Sequence, residues 1–321
     1  MSNLTETKKA TERPRRRRWT VLAGIAVMLA MIAGGYVYFK LYLPMGSGPA
    51  GPEVPVEVFA KPWTQRDVLL LGIGDSVTAG FGVARPYSYF NRLAENPADE
   101  FTEMRGLCLS AVLPNLQKKN LAISGSTSLM HFEVIRQFET QDRNVFGLVV
   151  MTSGGNDLIH DYGRSPPREG AMYGATLVQA TPWIENFERR LDEMLTLLKA
   201  KFPGGCLIFL ADIYDPSDGV GDAASAMLPD WPDGLKIHRA YNEVIRRCGG
   251  KHDRVHVVPM HAEFLGHGIH CTQPWHDHYH FEDPHYWYGS NLEDPNTRGY
   301  DAIRRLFLVE ISKQVHVLRS L

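Results

Sequence analysis

The sequence predicts an α/β domain built on a parallel sheet, and three observations carry that expectation. Short apolar runs rich in β-branched residues alternate with stretches of helical periodicity, the order expected when each strand leads into a crossover helix. The runs near residues 70, 148 and 208 are apolar almost throughout, as in strands covered on both faces. Between two of them, Trp183, Ile184, Phe187, Leu191, Met194, Leu195 and Leu198 recur on one helix face at 3.6-residue spacing.

In chain order, strands are expected at 67–73 (DVLLLGI), 120–123 (NLAI), 146–151 (FGLVVM), 206–211 (CLIFLA) and 255–259 (VHVVP). Helices are expected near 87–95, 104–116, 129–139, 182–201, 235–248 and 297–316. The clearest, 182–201, should start with Pro182 in its first turn and stop at Pro203-Gly204-Gly205. No internal repeat is present. With 44% hydrophobic and 22% charged residues, the composition is that of a folded globular chain and excludes a disordered one.

The formal charge of −2 hides an asymmetry. Lys8, Lys9, Arg13 and Arg15 to Arg18 crowd the N-terminus and leave the remainder mildly acidic; such a run could bind nucleic acid, but its position suggests another role, and no nucleic-acid partner is expected. Residues 19–39 (WTVLAGIAVMLAMIAGGYVYF) carry no charge, and a helix of roughly 20 apolar residues spans a bilayer. Trp19 at one end and Tyr36, Tyr38 and Tyr42 at the other match interfacial aromatic belts. The expected organisation is a basic cytoplasmic tail (1–18), a transmembrane helix (19–42), a Pro/Gly-rich spacer (43–65) and a folded domain (66–321) outside the cytoplasm. A cleaved signal peptide is the competing reading; the apolar run exceeds the usual core of one, and no good cleavage site follows. Cys108, Cys206, Cys248 and Cys271 match no zinc spacing, and either disulfides or free buried thiols would suit such a location.

Reactive groups of a parallel sheet belong in loops at the carboxyl ends of its strands. The first strand leads into Gly72-Ile73-Gly74-Asp75-Ser76-Val77-Thr78-Ala79-Gly80, the second into Ser124-Gly125-Ser126-Thr127, the third into Thr152-Ser153-Gly154-Gly155-Asn156-Asp157. Each has an ordinary structural reading, as helix cap or turn. Together they resemble the SGNH/GDSL hydrolase family, whose first three sequence blocks correspond to GIGDSVTAG, NLAISGSTS and SGGND. The resemblance covers most of the chain from about residue 66. It implies a flavodoxin-like three-layer α/β/α domain with a five-stranded parallel sheet. Ser76 would be the nucleophile, and the Ser76 N–H, the Gly125 N–H and the Asn156 side chain would form the oxyanion hole. No cofactor is implied.

The family's last block, Asp-x-x-His-Pro, is altered here to Asn291-Leu292-Glu293-Asp294-Pro295. A carboxylate of ordinary pKa is a poor base for a serine hydroxyl, so an imidazole from elsewhere is expected. His267, flanked by Gly266 and Gly268, is the first choice, with Asp294 orienting it; His285 is the second. The run His276-Asp277-His278-Tyr279-His280 alternates groups that could bind a metal, but no second ligand pair accompanies it, and no metal is expected. The expected activity is hydrolysis of a carboxylic ester, lipid-borne or on an acylated polysaccharide, through an acyl-Ser76 intermediate. An acyltransferase would use the same nucleophile. A binding module that lost its histidine is the alternative from another class.

Overall fold

The structure, a computed structural model, describes residues 13–321, and side chains from Arg18 onward; residues 1–12, including Lys8 and Lys9 of the basic tail, lie outside the described residues. Five strands pair in parallel in the order β2-β1-β3-β4-β5: β1 (Asp67–Ile73), β2 (Leu116–Asn120), β3 (Val145–Met151), β4 (Cys206–Ala211) and β5 (Val255–Val258). Helices in chain order are α1 (Arg13–Tyr36), α2 (Ser76–Ala79), α3 (Tyr89–Ala94), α4 (Leu109–Val112), α5 (Ser128–Gln137), α6 (Gly155–Ile159), α7 (Leu177–Lys201), α8 (Gly234–Lys251), α9 (Met260–Phe264), α10 (Thr297–Lys313) and α11 (Val315–Arg319).

Strand alternation divides the core into two layers. Val68, Leu70, Phe146, Leu148, Val150, Leu207 and Phe209 pack with α3, α4 and α10. Leu69, Leu71, Ile73, Val149, Met151, Ile208 and Leu210 pack with α5, α7 and α8. The expected three-layer arrangement follows from that two-sided burial. Because β1 lies between β2 and β3, the order reverses at its carboxyl end, where open α/β sheets bind ligands.

The second strand departs from expectation. It occupies 116–120 (LQKKN), not 120–123, and its side chains are largely exposed. As the edge of the sheet it carries Lys118 and Lys119, charges that protect an edge from pairing with another chain. The apolar NLAI follows it, yet Leu121 and Ile123 N–H still donate to Gly72 and Gly74 carbonyls. The helix expected at 104–116 is broken by Gly106 at φ +79°, which leaves the single turn α4. α7 starts earlier than expected, at Leu177, where Thr176 and Gln179 form a capping box, so Pro182 falls inside the helix.

The N-terminal region differs most. Arg18–Leu41 is helical, long and apolar enough to cross a membrane, with a π turn at Val37–Leu41. The stretch expected as a spacer is folded into the domain. Ala50, Val54, Phe59 and Trp63 are buried in the layer that holds α10, and Ala50 N–H donates to Asp301 Oδ2 at 3.1 Å. Gly51, at φ +93°, passes so close to α10 that a Cβ would lie 2.6 Å from Ala302 Cα. All four cysteines are buried and free.

Candidate active site

β1 ends on a turn that only glycine can make. Gly74 has φ +145°, and a Cβ there would stand 2.3 Å from Thr152 Oγ1. Asp75 then caps α2: its Oδ1 accepts from Val77 N–H at 3.1 Å and from Thr152 Oγ1 at 2.8 Å. Thr152 is also linked to Thr78 Oγ1 at 2.9 Å, which bonds the Tyr89 hydroxyl at 2.6 Å. This buried polar chain fixes Ser76, the first residue of α2. Burial pushes the Asp75 carboxyl up to about 6.

Asn156 comes from the turn after β3, where Gly154 takes φ +103°. Its Nδ2 donates to Ser126 O at 3.0 Å, tying it to the turn that carries Gly125. Gly125 has φ +78°, with open space where a Cβ would be. A histidine not singled out in the sequence joins these two turns. His131, buried in α5, bonds Ser126 Oγ through Nε2 at 2.7 Å and Ser153 Oγ through Nδ1 at 2.8 Å. Ser126 Oγ also reaches Ile123 O and Gly74 O, which only accept. Its single proton therefore goes to a carbonyl, His131 Nε2 donates, and Nδ1 accepts from Ser153. Burial favours the neutral imidazole and lowers its pKa to about 4.

Ser76 and Asn156 stand at the polar end of a cavity of about 180 Å³. Its other walls are mostly apolar, with Ile159, Ile213, Ala223, Ala226, Leu228, Trp231 and Leu235. The loop at 163–174 contributes Tyr173, while nearly half of the lining residues come from 211–235. Two residues lining the cavity hold left-handed backbone without being glycine, Tyr162 at φ +46° and Leu292 at φ +65°. Such conformations cost roughly 1–3 kcal/mol each and concentrate at functional sites.

Asp294 is buried beside this end of the cavity. Its Oδ2 accepts from Asn291 Nδ2 at 2.7 Å, and its N–H donates to Asn291 Oδ1 at 3.2 Å. Oδ1 has no well-aligned hydrogen bond among the described residues. Burial raises the Asp294 pKa, while the adjacent Ser76 hydroxyl and the Asn291 amide partly hold it down. The Ser76 hydroxyl is thus near enough to stabilise the carboxylate without an ideal bond. The neighbouring Glu293, which lines the cavity, is also raised by burial.

His267 does not line the cavity that holds Ser76. Its ring stacks on Trp287 with centroids 3.5 Å apart, and its Nδ1 faces His285 O at 3.1 Å. Trp287 packs on Phe264, Phe264 stacks on Tyr214, and the Tyr214 hydroxyl donates to Glu293 O. The glycines around it serve packing. A Cβ on Gly266 would lie 1.8 Å from His278 O, one on Gly268 2.2 Å from Pro216 O, and both N–H groups donate to Asp218 Oδ1 at 2.8 Å. His285, the second choice, is engaged by Asp283. His276 and His280 bond Gln273 Oε1 and Leu265 O, and among the described residues no three His, Cys, Asp or Glu gather as a metal set.

Residues 73–288 match the model of the GDSL-like lipase/acylhydrolase family. Among solved structures, an acetylxylan esterase from Geobacillus stearothermophilus is 20% identical, with 77% of this chain and 95% of that one covered at a TM-score of 0.46. A member of the lipolytic G-D-S-L family from Veillonella parvula is 14% identical, with 74% and 95% covered at a TM-score of 0.45. Comparison with curated proteins gives no match.

Proposed function

Because the chain belongs to the GDSL-like lipase/acylhydrolase family, a family of carboxylic ester hydrolases, we propose that it is a membrane-anchored esterase acting through an acyl-Ser76 intermediate. The observation that supports this reading is that Ser76 and Asn156 line one mostly apolar cavity, with the Asp294 carboxyl close to the Ser76 hydroxyl.

The Ser76 hydroxyl adds to the ester carbonyl and gives its proton to Asp294, the role first expected of a histidine. A carboxylate raised by burial is a stronger base than an exposed one, and Asn291 holds it in place. The oxyanion takes hydrogen bonds from the Ser76 and Gly125 N–H groups and from Asn156. An amide has two hydrogens, and since Ser126 O engages one, the other is left for the substrate. Each such donor is typically worth ~2.7–4 kcal/mol in the transition state. Asp294 returns the proton to the departing alkoxide. Water then attacks the acyl-enzyme and gives Asp294 a proton, which passes to Ser76 Oγ as that oxygen leaves and the acid is released.

The apolar walls suit an acyl group with a hydrocarbon body. α1 is read as a single-pass anchor whose preceding arginines stay in the cytoplasm and whose domain lies on the far side. Hydrolysis of p-nitrophenyl butyrate by the full chain in detergent tests the central step. Turnover should fall to background in Ser76→Ala; equal turnover in the two proteins would refute it.

A further inference from the structure

The loop formed by residues 272–285 has no part in the proposed ester chemistry, yet both of its ends are fastened to the chain leaving the apolar helix. At one end Thr272 Oγ1 donates to Phe39 O at 3.3 Å, and the Trp275 ring meets the Phe39 ring edge-on with centroids 5.0 Å apart. At the other, Tyr286 N–H donates to Pro44 O at 2.8 Å, and the His285 ring lies against Gly46. Between these points Trp275 is 58% exposed and Phe281 85% exposed. Tyr38, Tyr42 and Met45 are exposed on the adjoining segment. Large apolar side chains are therefore left uncovered where the membrane-length helix ends. A bilayer places its headgroup layer at that depth, and aromatic rings are enriched there.

We propose that this loop is a membrane-seating surface, with Trp275 and Phe281 entering the interfacial layer of the bilayer that α1 crosses. The domain then rests on the lipid and does not swing from a tether, in keeping with the absorption of residues 50–63 into its core. The partner is a lipid surface, recognised by apolar contact. The loop itself carries Asp277, Glu282 and Asp283 and no Lys or Arg, so seating does not require anionic lipid. This proposal rests on reading α1 as a membrane span.

The test uses the full chain in phosphatidylcholine nanodiscs, with Phe281→Cys or Trp275→Cys carrying an environment-sensitive fluorophore. The native cysteines are buried, so labelling under native conditions is confined to the new one. Glu139→Cys, in an exposed turn before the amino end of β3, is the control. Nitroxide placed just below the lipid headgroups should remove roughly half or more of the emission at 275 and 281, the depth of an interfacial residue, and leave 139 unchanged. Emission at 275 and 281 no more quenched than at 139, in protein that co-elutes with the discs, would overturn the seating surface while sparing the anchor. Protein that does not co-elute with the discs would overturn the anchor and this proposal with it.

Discussion

At the residue scale, the proposed chemistry turns on Asp294. With Asp294 as the proton acceptor, activity should rise with pH as it ionises, with a midpoint above the ordinary carboxylate value of 3.8. Asp294→Asn should lower kcat by roughly 10²–10⁴-fold, the usual worth of a general base. The pair Asn291→Asp with Asp294→His rebuilds the family block and should raise kcat above that of Asp294→Asn, with a pH midpoint near about 6.5. An unchanged kcat in Asp294→Asn would remove Asp294 from the mechanism. His131 carries a second pH signature. Its folded pKa of about 4 lies below the unfolded 6.5, so its contribution is present above 6.5 and is lost as pH falls toward 4. Asp75, raised to about 6, acts in the opposite direction over part of that range. The difference between wild type and His131→Gln in urea-unfolding midpoints should therefore shrink between those pH values; a difference independent of pH would mean that His131 is not held neutral. The strand-end turns that carry Ser76, Gly125 and Asn156 were legible because each is a short glycine-containing motif at the carboxyl end of a strand. The glycines flanking His267 signal close approach without saying of what: here they admit the His278 and Pro216 carbonyls.

At the element scale, strands buried on both faces announced themselves by continuous apolar runs, and β1, β3 and β4 fall where expected, within a residue. β2 did not, because an edge strand has no need of apolar residues and its LQKKN reads as loop. The cavity wall at 211–235 was equally silent, being Ala, Pro, Asp and Gly in irregular order with only short helical turns. That wall sets the expected acyl preference. Each methylene buried in it is worth roughly 0.8 kcal/mol, about fourfold in kcat/KM. Octanoate esters should be preferred to acetate esters, and Ala226→Phe, which fills the wall, should abolish that preference while acetate turnover persists. A p-nitrophenyl ester series measures it. Equal ratios in the two proteins would show that the chain does not enter this cavity.

At the scale of the whole molecule, the main surprise is how far the domain extends toward the helix that precedes it. Residues 50–63 look like a spacer by their Pro and Gly content, but Ala50, Val54, Phe59 and Trp63 close the layer over α10. Scattered single apolar residues in a Pro-rich stretch follow no period, so nothing in the sequence distinguishes a packed strap from a linker. Trp63 is 2% exposed, and its Nε1 donates to Val58 O at 2.7 Å. Trp63→Ala should therefore cost about 3–5 kcal/mol in chemical denaturation. A loss below about 1 kcal/mol, the size of an ordinary surface change, would mean that the strap is not part of the cooperative unit.

The most direct test of a serine made reactive by this site is covalent. Folded full-length protein is incubated with a fluorophosphonate, and its intact mass and labelled peptide are read by mass spectrometry. Wild type should gain a single phosphonyl group on Ser76, Ser76→Ala none, and Asp294→Asn should react far more slowly. Folded wild type that gains no adduct, or an adduct that persists in Ser76→Ala, would contradict the account.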